Sequence, residues 1–174
     1  MCHCQSLKDA GLVLPSRLGA NPPPTSEVTS KVMRANRGRN TGPEVKMRKA
    51  LWSAGIRGYR LHWRNVPGRP DIAFPGLRMA VFVLGCYWHR CERCDLPIPK
   101  SNSEFWSRKF ALNKERDQRK RTELEDMGWD VLDLWECDIK DSLDECVRLV
   151  SDMHSRLASN RRARLSQSMT LTVK

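Results

Sequence analysis

The stretch Met79-Ala80-Val81-Phe82-Val83-Leu84-Gly85-Cys86-Tyr87-Trp88-His89-Arg90-Cys91-Glu92-Arg93-Cys94 decides the reading of this chain. Its first six residues are an unbroken apolar run of strand length, the pattern of a strand buried on both faces. The next ten set three thiols and an imidazole at metal-ligand spacing around two adjacent aromatics. Cys86, Cys91 and Cys94 are soft donors suited to a tetrahedral zinc ion, which needs a fourth ligand. Cys137, just beyond a second apolar run at 129–135, is the natural fourth. A closed four-sulfur site leaves nothing open for substrate, so its role is to staple a strand end to a loop. Five donors compete for four places: an alternative set uses His89 and releases one cysteine, although the all-sulfur set is preferred. Either set keeps the zinc structural.

Outward from this stretch, Thr41, Pro43 and Glu44 have the form of a helix start. A Thr cap, an early Pro and a Glu three residues on satisfy the orphan amides reciprocally. The spacing predicts a helix over 43–54, with Met47, Ala50, Leu51 and Ala54 as its apolar stripe and Gly55 as its stop. Tyr59, Leu61 and Trp63 alternate, Asp71-Ile72-Ala73-Phe74 leads into a Pro75-Gly76 turn, and the run at 79–84 follows. These read as three strands, two of them a hairpin. Ser101 with Glu104 predicts a second capping box that opens a long basic helix to Met127, closed by Gly128. Residues 129–135 read as a further buried strand, and Leu143, Val147, Val150, Met153 and Leu157 recur at helical spacing. The order describes an α/β fold, a mixed sheet flanked by helices. Residues 1–29, with Pro15, Pro22, Pro23 and Pro24, read as a disordered leader, 30–158 as the folded domain and 159–174 as a flexible basic tail.

A length of 174 residues, 40% hydrophobic content and six tryptophans suit one domain with a substantial core. The excess of 31 Lys+Arg over 20 Asp+Glu, a net charge of +11, favours a polyanionic partner, nucleic acid foremost, because basic surfaces gain affinity by displacing phosphate counterions. A membrane-surface protein would carry an amphipathic basic helix without this thiol and aromatic cluster, and no run is long enough to cross a bilayer. Seven cysteines, an odd number, with no apolar signal segment point to a reducing compartment where thiols hold metal. Cys2, His3 and Cys4 have no nearby partner in sequence and read as incidental.

Asp71 follows Val66-Pro67-Gly68-Arg69-Pro70 and opens an apolar strand, a costly place for a carboxylate unless it meets a cation or hydrogen-bond donors. Magnesium would answer, since it takes few carboxylates and keeps waters. A strand-edge cap or a pair with Arg69 would answer as well. Glu44 is accounted for by its capping box, with a catalytic role in second place. Lys31, Arg34, Arg37 and Arg39 crowd four cations onto a segment with few apolar residues, which puts it on the partner. Lys109, Lys114, Arg116, Arg119 and Lys120 make the long helix basic, for phosphate contact or for solvation. Along that helix the stripe Trp106, Phe110, Asn113, Asp117, Arg121, Leu124 is apolar at both ends and polar in its middle. Either the helix passes a cleft that Asn113 and Asp117 support, or Asp117 pairs with Arg121 four residues on, which is the default.

Residues 30–137 resemble the very short patch repair endonuclease family, mismatch-directed DNA-nicking enzymes with a restriction-endonuclease-like fold. The resemblance lies in Met33-Arg34 with Thr41-x-Pro43-Glu44; Val66-Pro67-Gly68-Arg69-Pro70-Asp71-Ile72; Val81-Phe82-Val83 leading into Gly85-Cys86-Tyr87-Trp88-His89-x-Cys91; Glu104-Phe105-Trp106; Glu115-Arg116-Asp117; and Gly128-Trp129 through Trp135-Glu136-Cys137. These pieces stand in the family's order, which is more specific than any one motif. The resemblance implies that Asp71 ligates catalytic magnesium with the carbonyl of Val83, that His89 is the base activating water, and that Glu44 is a further acidic contributor. It implies a zinc site of Cys86, Cys91, Cys94 and Cys137, and a wedge of Tyr87, Trp88 and Trp106 between base steps, although aromatics beside a metal knot otherwise belong to a core. Lys31, Arg34, Arg37, Lys109 and Arg116 are the expected phosphate contacts.

The activity so implied is magnesium-dependent nicking of one strand of duplex DNA beside the thymine of a T:G mispair, left when 5-methylcytosine deaminates. The enzyme would be monomeric and cytoplasmic, in a bacterial-type nucleoid setting, alongside mismatch-repair proteins and a cognate cytosine methyltransferase. Leu84 departs from the pattern, because members carry an acidic or imidazole side chain there and leucine can neither ligate nor transfer a proton. The alternative is therefore a zinc-stabilised mismatch-binding protein with impaired catalysis. A restriction-type enzyme cutting both strands would need two coordinated sites, which nothing in the sequence suggests.

Overall fold

The structure is a computed structural model that describes residues 38–171 together with Pro22, Glu27, Ser30 and Lys31. Arg34, Arg37, the Cys2-His3-Cys4 triplet and most of the leader lie outside the described residues. Helix α1 spans Gly42–Ser53, with Thr41 as its N-cap and Pro43 in its first turn. Gly55, at φ 78°, turns the chain out of it, a backbone conformation that favours glycine. Strand β1 is short, Arg60–Leu61, followed by β2 at Ile72–Phe74, a 3₁₀ turn at Pro75–Leu77 and β3 at Met79–Leu84. The single turn α2 at Cys86–His89, the long α3 at Ser103–Asp126, β4 at Asp130–Trp135, α4 at Glu136–Asp141 and α5 at Leu143–Leu171 complete the described chain.

The sheet order is β1-β2-β3-β4, antiparallel except for the parallel β3–β4 pair. Because side chains alternate along a strand, β3 sends Met79, Val81 and Val83 to one face and Ala80 and Phe82 to the other. The first face packs with Ile72, Phe74 and Leu134 against Met47 and Leu51 of α1, Ile139 of α4 and Cys146 and Val150 of α5. Each such fully buried side chain stabilises the fold by about 1.5–3 kcal/mol. On the second face, Ala73 and Ala80 stand in register and leave room for Leu124 of α3 and for Trp63 and Trp129, whose rings lie 5.5 Å apart. The site therefore forms where β3 and β4 end and α2 and α3 cross over them.

Three local expectations differ from the structure. The Ser101–Glu104 capping box does not form: Asn102 is the N-cap, left-handed at φ 55°, with no side-chain cap hydrogen bond. Ser101 thus lies one residue outside the position from which its hydroxyl could cap. The first strand is two residues rather than the alternating segment 59–63, because His62 takes φ 45° and turns the chain away from the sheet. The last helix does not give way to a loose tail at 159 but continues to Leu171. Residues 159–167 are exposed, so helix-forming residues such as Arg161, Arg162, Ala163 and Arg164 carry it on without tertiary burial.

Candidate active site and metal centre

Gly68 sits at φ 78° with no room for a side chain, since a Cβ would lie 2.9 Å from the Phe82 ring. The 66–70 loop is thereby pressed onto β3, and it delivers Pro70 and Asp71 to the end of that strand. Ile72 pairs with Val81, so a continued register would set Pro70 opposite Val83. Proline has no N–H to donate, and the ladder cannot close on the Val83 carbonyl. The Val83 amide is taken by Asp71 Oδ2 at 2.8 Å. In an extended strand a residue's N–H and C=O point to the same edge, which turns the Val83 carbonyl toward Asp71 as well. A carboxylate and an open carbonyl side by side are hard oxygen donors of the kind a divalent cation takes.

Burial pushes the Asp71 carboxyl up to about 6, against the Val83 amide and the His62 and His89 charges, with the nearby Glu44 charge adding to the rise. Glu44, only 5% exposed, is held from three sides. Its Oε1 accepts from the Thr41 hydroxyl at 2.8 Å, its Oε2 accepts from the Asn40 amide at 2.8 Å, and His62 Nε2 lies 3.5 Å from Oε2. The capping box is real, and it also carries Glu44 to the Asp71 end of the sheet. Glu44, His62 and Asp71 form a compact group of possible ligands. His62 was not marked by its sequence context; its only signal is an imidazole set in an alternating strand nine residues before Asp71.

The four sulfurs of Cys86, Cys91, Cys94 and Cys137 lie within 4.8 Å of one another. The Cys91 and Cys137 sulfurs are 3.7 Å apart, too far for a disulfide. A tetrahedron with Zn–S of about 2.3 Å has edges of about 3.8 Å, so this spacing fits zinc. Burial and the adjoining thiols push the Cys86 thiol up. Burial also works against the Cys91 thiolate, but the amides of Cys94 and Arg93 and the neighbouring thiols outweigh it and bring that group down. Thiols this close cannot all ionise without a cation among them. Arg93 pairs with Asp138 at 2.7 Å and Asp141 at 3.0 Å, which clamps the cysteine loop to α4.

His89 stands outside the sulfur set. It ends the same helical turn that Cys86 begins, and its Nδ1 lies 2.5 Å from Asp117 Oδ2 on α3. Burial would raise Asp117, but the His89 hydrogen bond and charge, with Arg116, prevail and hold its carboxyl below the usual range. This corrects the default for α3: Asp117 pairs with His89 and Arg116, whereas Arg121 pairs with Asp133 at 2.7 Å and Glu125 at 3.1 Å. Asn113 donates to the Trp88 carbonyl at 3.2 Å. Asp117 and Arg121 of the stripe's polar middle thus line a cleft, while Asn113 braces the α2 turn beside it.

That cleft, about 1720 Å³ and open, takes in Glu44, His62, Asp71, Val83, Leu84, His89 and Asp117. Drug-sized ligands occupy about 300–1,000 Å³, so the opening suits part of a macromolecule. Arg39, Arg69, Lys114, Arg116 and Lys120 place cations on its walls, interleaved with carboxylates such as Glu115, Asp133 and Glu136. Burial, then Arg116, Arg119 and Arg69, depress the Lys120 ammonium despite Asp117. Leu84 contributes only an apolar side chain. Lys31 lies apart, exposed and paired with Glu27 at 3.5 Å.

The aromatic residues form one packed group. Tyr87 lies 5.1 Å from Trp88 and 5.3 Å from Phe110, and Trp88 lies 6.2 Å from Trp106. Trp106 is 7% exposed, and Trp88 and Tyr87 are half-buried. Lys109 is not directed to solvent on the polar face of α3; its ammonium sits over Trp106 at 5.1 Å, Phe105 at 5.5 Å and Trp88 at 5.7 Å. Ammonium–ring attraction at this range accounts for that placement.

Residues 24–95 match the DNA mismatch endonuclease Vsr family. The type II nicking enzyme V.XorIIP of Xanthomonas oryzae pv. oryzae is 43% identical over 111 residues, 63% of this chain and 80% of the relative. The chain belongs to the Vsr family. The type II nicking enzyme V.NmeAIP of Neisseria meningitidis is 38% identical over 136 residues, covering 74% of this chain and 95% of the relative. The DNA mismatch endonuclease Vsr of Escherichia coli is 36% identical over 111 residues, 64% of this chain and 70% of that protein. The four-stranded mixed sheet flanked by helices is the restriction-endonuclease-like architecture of Vsr proteins, here with a four-cysteine cluster that could hold zinc. No helix among the described residues is long and apolar enough to cross a membrane.

Proposed function

We propose that this Vsr-family protein is a magnesium-dependent endonuclease that nicks one strand of duplex DNA beside the thymine of a T:G mispair, acting as a monomer through residues 30–158. The observation that carries the reading is the meeting of the Asp71–Val83 oxygen pair and the His89–Asp117 pair in one cleft. Asp71 and the Val83 carbonyl would hold the cation, with Glu44 adding acidic character beside them. A divalent cation there supplies positive charge against the scissile phosphate and acidifies a water molecule. Asp117 accepts the Nδ1–H of His89 and so leaves Nε2 bare to take a proton from attacking water near neutral pH. Zinc on the four cysteines would fix α2, which carries both Trp88 and His89. Arg69, Arg116 and Lys120 are placed to meet backbone phosphates.

Trp88, Trp106 and Tyr87 are the side chains with the flat area to test base stacking at a weakened pair. Trp106 is covered in the free protein, so its insertion requires the Lys109 cover to lift. The names of the E. coli relative and of the nicking enzymes agree with mismatch-directed scission of one strand. The test is a nicking assay on two duplexes that differ only in T:A against T:G, with and without magnesium. Scission of the T:G duplex alone, abolished by His89→Ala, is the expected result. Equal cutting of both duplexes overturns the mismatch assignment. Binding without cutting under any divalent ion, reversed by Leu84→Asp, overturns the catalytic assignment.

A further inference from the structure

Glu44, His62 and Asp71 arrive from three places: the first turn of α1, the bend after β1 and the entry to β2. His62 lies between the two carboxylates, its Nε2 3.5 Å from Glu44 Oε2 and its Nδ1 3.5 Å from Asp71 Oδ1. Neither distance is that of a short charge-assisted bond, which runs about 2.7–2.9 Å. Donors held about 2.1 Å from a shared cation are themselves about 3.0–3.4 Å apart, close to the observed His62–Asp71 spacing. The imidazole is also held deliberately. His62 has a left-handed backbone at φ 45°, uncommon for a side-chain-bearing residue, and its amide donates to the Asp71 carbonyl at 3.2 Å.

The other lone pairs are accounted for. Asp71 Oδ2 is taken by the Val83 amide, leaving Oδ1 toward His62. Both Glu44 oxygens accept from Asn40 or Thr41, which fixes the carboxylate without a cation. A histidine that ligates a metal through one nitrogen characteristically gives its other N–H to an oxygen acceptor, and Glu44 Oε2 and Asn40 Oδ1 both stand 3.5 Å from Nε2.

We propose that His62 Nδ1 is a nitrogen ligand to the divalent cation held by Asp71 and the Val83 carbonyl, with Glu44 and Asn40 orienting the ring through Nε2–H. The inference rests on the reading of Asp71 as a cation ligand. Imidazole favours borderline first-row ions over magnesium, which takes oxygen almost exclusively. The site therefore prefers Mn²⁺ to Mg²⁺ by more than an all-oxygen site does, while Leu84 offers no competing donor.

The test is pulsed electron paramagnetic resonance of Mn²⁺ bound to the full chain with its zinc site loaded, prepared with natural-abundance and with ¹⁵N-labelled histidine. A nitrogen modulation that changes with the label is expected in the unsubstituted protein, so the outcome does not depend on a variant that folds poorly. His62→Gln should remove the modulation and weaken Mn²⁺ binding about tenfold with little change for Mg²⁺; His89→Gln should leave the modulation intact. Mn²⁺ that binds, is lost in Asp71→Asn and shows no histidine nitrogen overturns the His62 assignment while leaving Asp71 as a ligand. Mn²⁺ binding indifferent to Asp71→Asn overturns both.

Discussion

On the proposed reading, Asp71 serves chemistry at the expense of stability. Its carboxyl titrates near 6 in the fold against 3.8 ordinarily, so in the metal-free protein its protonated form is the better fitted one. The folded state then holds more protons than the unfolded state between these two values, and this group's contribution falls as pH rises through that window. Asp71→Asn should accordingly raise the melting temperature of metal-free protein at pH 7.5, by up to about 3 kcal/mol in stability, and bring no gain at pH 4, while abolishing nicking. Thermal melts at the two pH values check it. At His89 the partner is the informative residue. Asp117→Asn keeps the shape but can donate to Nδ1 and stabilise the wrong tautomer, so kcat should fall about 10²- to 10⁴-fold with KM nearly unchanged in steady-state nicking kinetics. Asp71 stood out in the sequence because a carboxylate opens an apolar strand, whereas His89 stood out only as an extra imidazole among the cysteines and took its proposed role from the family resemblance. Asp117 was legible only as the second choice, because an aspartate followed by Arg121 four residues on has a sufficient explanation within its own helix.

At the scale of elements, legibility followed the range of the forces involved. The α1 start was readable from Thr41, Pro43 and Glu44, since those bonds close within four residues. The same signature at Ser101 failed because the incoming loop sets Asn102 left-handed, a demand imposed from outside the motif. The cysteine cluster was readable across 46 residues between Cys91 and Cys137 because metal chemistry restricts the donors so severely. His62 was opaque for the opposite reason: its value lies in a bend that the alternation of 59–63 conceals. The α2 turn buries little beyond Cys86, so it depends on its sulfur anchor. Cys137→Ser should lower bound zinc from about one equivalent per chain, measured by mass spectrometry of the native protein, and should cost nicking more than a core truncation of equal thermal effect.

Over the whole molecule, the +11 charge is not spread evenly in function. Arg69, Arg116 and Lys120 converge on the cleft, whereas Arg161 at the distal part of α5 lies beside Gly76, at the opposite end of β2 from Asp71. Charge at the cleft should govern duplex binding. Arg69→Gln and Lys120→Gln should each reduce the slope of log affinity against log salt by about 1 for matched and mismatched duplexes alike, which fluorescence anisotropy over a salt series would measure. The net charge foretold a nucleic-acid partner; its partition between the two ends of the sheet required the tertiary arrangement. One consequence follows from the fact that Cys86 and His89 share a single helical turn. A nuclease whose scaffold decays by degrees could become a careless cutter, active but undiscriminating. On the proposed reading of His89 as proton acceptor and the cysteines as its zinc anchor, the two are so nearly the same piece of chain that damage to one disarms the other, and the failure mode is silence, which for an enzyme that cuts DNA is the safe one.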